Sequence, residues 1–191
     1  MTVQPDRPFT PTHRAQDSNL SAIAVPVVAG SAVAVALGVY GRLHEPTGIA
    51  VSIAGFSGAQ SAKAWLTTAV FLLALVQLAT ALAMWGKLPV SPPSAPSLHR
   101  WSGRAAVLLA VPVMVHCLYA LGFQSATPRV LIHSLLGCFF FGAFVAKMLL
   151  LTRRGVPGWA LPVIGGLVFA GVVGLWLTSS LWFFTTIGPT R

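Results

Sequence analysis

Residues 99–154 read HRWSGRAAVLLAVPVMVHCLYALGFQSATPRVLIHSLLGCFFFGAFVAKMLLLTRR. Two apolar runs, 103–123 and 130–151, flank the short polar connector QSATPR. Each run supplies the roughly 20 apolar residues that a helix needs to cross a hydrocarbon core. A connector this short joins antiparallel neighbours. The stretch therefore predicts a transmembrane helical hairpin, and each arm carries one histidine, His116 late in the first and His133 early in the second. At 1.5 Å rise per residue, the two lie roughly 10 Å and roughly 6 Å below the same membrane face.

The rest of the chain agrees. Of its 191 residues 55% are hydrophobic and only 8% charged, with a mean hydropathy of +0.80. Soluble domains carry about 25% charged residues, so the composition is that of an integral membrane protein. Five segments are long and apolar enough to span, at approximately 20–41, 64–86, 103–123, 130–151 and 158–184. The fold expected is an all-α bundle of five transmembrane helices filling residues 19–185, with no soluble catalytic domain attached. Residues 1–18 are polar and aperiodic, a disordered cytoplasmic tail, and 186–191 are a short tail. The first apolar run starts too late and runs too long for a signal peptide.

The net charge of +9 reflects scarce acids: Asp6, Asp17 and Glu45 are the only carboxylate side chains, and none falls in a span. Proton- and cation-coupled carriers commonly use intramembrane carboxylates, which argues against a pump or transporter. The basic residues flank helices instead of forming a patch on a soluble face, so no nucleic-acid partner is expected. Arg7, Arg14, Lys87, Arg100, Arg104, Arg153 and Arg154 fall on one side, and Arg42, Lys63, Arg129 and Arg191 on the other. That asymmetry favours an N-in, C-out topology. Lys147, about a turn and a half from the inner end, is expected to snorkel there.

Small residues recur every four positions at Gly30, Ala34 and Gly38, and again at Gly166, Ala170 and Gly174, stripes that allow close helix approach. The segment GIAVSIAGFSG, 48–58, is too short to span and fits an interfacial or re-entrant piece. GKLPVSPPSAPSLHRWSGR reads as a semi-extended linker into the third helix. Trp65 and Trp85 stand at opposite ends of the second helix as interfacial anchors. Gln77, near its middle, suits an interhelical hydrogen bond or a cofactor or quinone contact. Cys117 and Cys138 form no CxxC or CxxCH and read as small packing residues.

The two intramembrane histidines carry the functional question. Buried ionisable groups in a membrane are functional candidates by default. One reading makes His116 and His133 bundle-interior residues that hydrogen bond between helices. The other makes them axial ligands of a b-type haem gripped from opposite sides. Gly137 lies one turn beyond His133 on the same face and leaves room for the haem face; Pro112 and Ala120 flank His116 likewise. A metal ion other than haem iron is a poorer fit, since two histidines make an incomplete cage. His99, Arg100 and Arg104 cluster with Trp101 at the inner face, either as interfacial anchors or as contacts for a haem propionate or a quinone. His44 could act similarly at the outer face.

HRWSGR leading into an apolar helix, then HCLYALGFQ, RVLIHSLLGCFFFGAFVAKM and PGWALPVIGG…LWLTSSLWFF, resembles an uncharacterised bacterial family of small integral membrane proteins over most of residues 40–185. Its members are regarded as cytochrome-b561-like or ferric-reductase-like and are associated with Rieske iron–sulfur proteins. The resemblance implies electron transfer in the bacterial inner membrane, with His116 and His133 as ligand candidates and His99 as a further motif residue. A quinol-like donor and a Rieske or c-type cytochrome acceptor would be the partners. Cytochrome b561 proteins hold two haems with four histidines, whereas the inner face here offers His99 without an intramembrane histidine partner. Ferric-reductase domains place two histidines about four turns apart on one helix, and His99 and His116 are seventeen apart. Neither template fits, so a single haem b in the outer leaflet, between His116 and His133, is the expectation. A non-catalytic scaffold or assembly subunit of a larger complex is the competing expectation.

Overall fold

A computed structural model describes residues 14–48 and 58–189. They form five long helices: α1 (Arg14–Leu43), α2 (Ala59–Met84), α3 (Ala95–Leu121), α4 (Pro128–Leu151) and α5 (Ala160–Thr186). No strand occurs among the described residues. All five contain stretches long and apolar enough to cross a bilayer, the architecture of a multi-pass membrane protein.

Local chemistry explains where the helices begin. Thr127 caps α4, its Oγ1 accepting from the Val130 amide at 3.3 Å, and Pro128 occupies the first turn. α3 starts at Ala95 with Pro96 in its first turn. The end of the expected linker is thus helical, because a proline at this position sets φ without forfeiting a ladder bond. His99 and Ser102 consequently lie on a helix. α1 begins at Arg14, inside the stretch read as a tail; no proline or glycine follows Pro11 until Pro26. Most of that tail, and 49–57 of the segment read as interfacial or re-entrant, lie outside the described residues.

Two helices change pitch. α3 carries Pro112, which has no amide hydrogen to donate, and from His116 to Leu121 its ladder widens into a π-helix. α5 contains a second π segment at Leu177–Leu181. Both irregular stretches face the same end of the bundle, the end where α4 begins. Such widenings displace side chains from regular helical positions and free carbonyls from the ladder.

The helices pack in the order α3, α2, α5, α4, α1, and α1 turns back to touch the π end of α3. α3 and α4, though consecutive, are not among the closely packed pairs. At mid-height, Val70, Ala74, Ala110, Phe140 and Val172 form a shared apolar core. Between α1 and α4 the backbones nearly touch. A Cβ on Gly30 would collide with the Gly142 carbonyl oxygen, and one on Gly142 would stand 2.8 Å from the Ala34 Cβ. The Gly30–Ala34–Gly38 stripe is therefore an internal seam. The α5 stripe behaves differently: Gly166 and Ala170 are exposed, and only Gly174 is packed, against Leu136.

Candidate functional site

Because α3 stands away from α4, the bundle keeps a gap between them at the end where α4 begins. It contains a half-open cavity of about 210 Å³, lined in part by Lys63, Cys117, Arg129, His133, Cys138 and Thr178. A second chamber of about 70 Å³ lies against it, walled by apolar groups including Val70, Met114, Phe140 and Val172. Cys117 and His133 line both chambers and stand at their boundary.

His133 is held by one edge. Its Nδ1 lies 3.0 Å from Thr178 Oγ1, and that hydroxyl donates to the Gly174 carbonyl at 2.7 Å. With the hydroxyl proton committed to the carbonyl, the hydrogen-bond pattern assigns Nδ1–H as the donor to Thr178. Nε2 then keeps its lone pair. The π segment of α5 completes the arrangement: the Thr178 carbonyl accepts from Arg129 Nη1 at 2.6 Å, and the Arg129 guanidinium lies 3.9 Å above the Trp182 ring centroid.

His116 lies on the facing helix at the first residue of the π segment, half-buried. Its ring has no hydrogen-bond partner among the described residues and it does not line either chamber, whereas its neighbour Cys117 lines both. Lys63 is within electrostatic reach of both His116 and His133, which puts the two histidines at the same end. Gly137 adjoins open space: a Cβ there would meet nothing within 4 Å. Cys117 and Cys138 are both free thiols. Among the described residues no three His, Cys, Asp or Glu side chains gather as a metal-binding group.

His99 belongs to the opposite end. Its Nδ1 lies 2.9 Å from Thr80 Oγ1, which donates to the Val76 carbonyl at 2.7 Å, the same threonine device that holds His133. Gln77 donates to the His99 carbonyl and, at 2.7 Å, to Ser102 Oγ. Gln77 thus bridges α2 and α3. Lys147 of α4 lies within electrostatic reach of His99. Arg100 and Arg104 are exposed, the latter 4.9 Å from the Trp101 ring centroid, and neither lines the cavity. His44 is sandwiched between Tyr40 and Tyr119, at centroid distances of 5.0 and 4.8 Å, and donates to the Tyr119 carbonyl.

The sequence pattern had singled out both cavity-end histidines but not their companions. Thr178 was one hydroxyl among many, and Lys63 and Arg129 counted only as flanking charges. The location of Lys63 and Arg129 near helix starts, on the side of the paired histidines, was the available signal.

A family model described as a family of unknown function, DUF6529, matches residues 23–191. The chain belongs to that family. The match takes in all of the cavity and both threonine-held histidines, so the site falls within the segment that defines DUF6529. No curated protein and no solved structure matches the chain.

Proposed function

We propose that this protein is an electron-transfer subunit of the bacterial inner membrane that binds one haem b in the gap between α3 and α4. The carrying observation is His133: Thr178 holds its Nδ1, and its Nε2 is left free beside a cavity. Metal-ligating imidazoles are commonly oriented by a hydrogen bond at the other ring nitrogen. His116, at the same end on the facing helix but outside the walls of both chambers, would have to turn its ring into the gap to supply the second ligand. The larger chamber carries the charged and polar groups on a mainly apolar wall and the inner one is almost wholly apolar, as suits a macrocycle with an acidic edge and a hydrocarbon edge. A bound haem would supply a one-electron iron couple.

The chain's own part is to orient His133 through Thr178, to wall the site with apolar groups and to fix its depth near one face. With the N-in, C-out topology favoured by the basic flanks, that face is the outer one. The donor is then a quinol-like membrane reductant, and the partner is a Rieske or c-type cytochrome protein outside. To test this, the purified protein in lipid nanodiscs is mixed anaerobically with a quinol. Appearance of a reduced b-haem spectrum supports the relay, and a protein that acquires no haem spectrum, or is not reduced, contradicts it.

A scaffold role is the second reading, and the exposed Gly166 and Ala170 on α5 favour it: a neighbouring helix could pack closely there. It predicts a colourless protein that co-purifies with a larger membrane complex.

A further inference from the structure

Two cations line the larger cavity without a facing acid. Lys63 comes from the first turns of α2 and Arg129 from the first turn of α4. Among the residues whose side chains are described, Glu45 is the one carboxylate, and it is not part of the cavity wall. No salt-bridge partner is present for either cation among the described residues. Arg129 is nevertheless fixed, by the Thr178 carbonyl at 2.6 Å and by the Trp182 ring at 3.9 Å. A guanidinium has five N–H donors, so that single bond leaves donors directed elsewhere. Both helices also begin at this end, adding the positive ends of their backbone dipoles.

Two positive groups gathered at the mouth of one cavity, at the starts of α2 and α4, repel one another unless an anion joins them. The adjoining chamber is apolar, lined by Val70, Met114, Phe140 and Val172 among others. The occupant must therefore combine an acidic head with a hydrocarbon body. We infer that Lys63 and Arg129 form a carboxylate clamp that seats a carboxylate-bearing amphiphile head-outward, its apolar body running past His133 into the inner chamber. If the haem reading holds, on which this assignment then rests, the carboxylates are the haem propionates. The propionate contacts would then lie at the His133 end and not at His99, Arg100 and Arg104. If it does not hold, a fatty acid supplies the same chemistry.

The test needs no mutation at its first step. Full-length protein in nanodiscs is titrated with hemin and with hemin dimethyl ester, which keeps the macrocycle but lacks free carboxylates. The clamp predicts at least tenfold tighter binding of hemin, with most of that preference lost in Lys63→Gln and retained in Lys63→Arg. Arg129→Gln should do the same, but Arg129 also braces α5, so Lys63 is the decisive position. Equal binding of hemin and its diester by the unaltered protein overturns the clamp while leaving the haem reading intact. If neither porphyrin binds, the haem reading falls, and a fluorescent polyunsaturated fatty acid replaces it as probe. Saturable binding of that acid, weakened about tenfold by Lys63→Gln, then upholds the clamp with a lipid carboxylate. No binding, or binding indifferent to Lys63, overturns it.

Discussion

At the scale of single residues, the repeated device is a threonine that back-bonds to its own helix and presents its oxygen to a histidine on a neighbour. Thr178 does this for His133 and Thr80 for His99. Sequence alone could not show the pairing, since 45 residues separate Thr178 from His133 and a π turn sets the hydroxyl's direction. Outer partners of a metal-binding histidine typically govern about 10- to 100-fold in affinity. Thr178→Val is therefore expected to weaken hemin binding by about that factor while Thr80→Val leaves it unchanged; equal effects in a spectroscopic titration would contradict the assignment. Ser180 is a purely structural counterpart. It is fully buried and donates to the Ala64 carbonyl at 2.9 Å. Ser180→Ala should lower stability by about 0.5–1.5 kcal/mol, read as a reduced melting temperature with the spectrum unaltered.

At the scale of elements, the hairpin read from residues 99–154 is present, yet its two arms do not pack closely on each other. Hydropathy reports that a segment crosses the membrane but not which neighbour it meets. That choice is set by glycines: Gly30 and Gly142 bring α1 onto α4, and Gly103 opens space for Gln77 between α2 and α3. The four-residue stripe on α1 is a seam because its partner α4 also carries small residues there, Gly142 and Ala146. The stripe on α5 has the same spacing but faces outward at Gly166 and Ala170, so spacing alone did not reveal its role. Gly142→Leu is expected to cost about 1–3 kcal/mol or more by overpacking the α1–α4 seam. Gly166→Leu should leave the isolated protein's thermal stability unchanged, and a comparable loss at both positions in a melting assay would refute this packing order. The start of α3 was misplaced for a simple reason: polar residues beyond the membrane can still be helical.

At the scale of the whole molecule, α2, α3, α4 and α5 line an off-centre, half-open cavity near one end, bounded by two π segments, while α1 and the residues after it pack outside that wall. The Thr47 and Gly48 amides donate to the Tyr119 and Ala120 carbonyls, at 3.3 and 3.2 Å, tying that connection to the π end of α3. The topology proposed from the flanking charges puts this end outside. A cysteine introduced at Gln124, in the α3–α4 connection, should then react with a membrane-impermeant maleimide in intact cells; one introduced at Lys87 should react only after lysis. The reverse pattern would invert the relay. The central claim is tested most directly by the oxidised-minus-reduced visible spectrum of protein purified from haem-replete cells, taken beside His116→Ala, His133→Ala and His99→Ala. The account predicts one six-coordinate b-type haem per chain, lost in the first two variants and kept in the third. Absence of a Soret band, or a spectrum indifferent to His133, would contradict it.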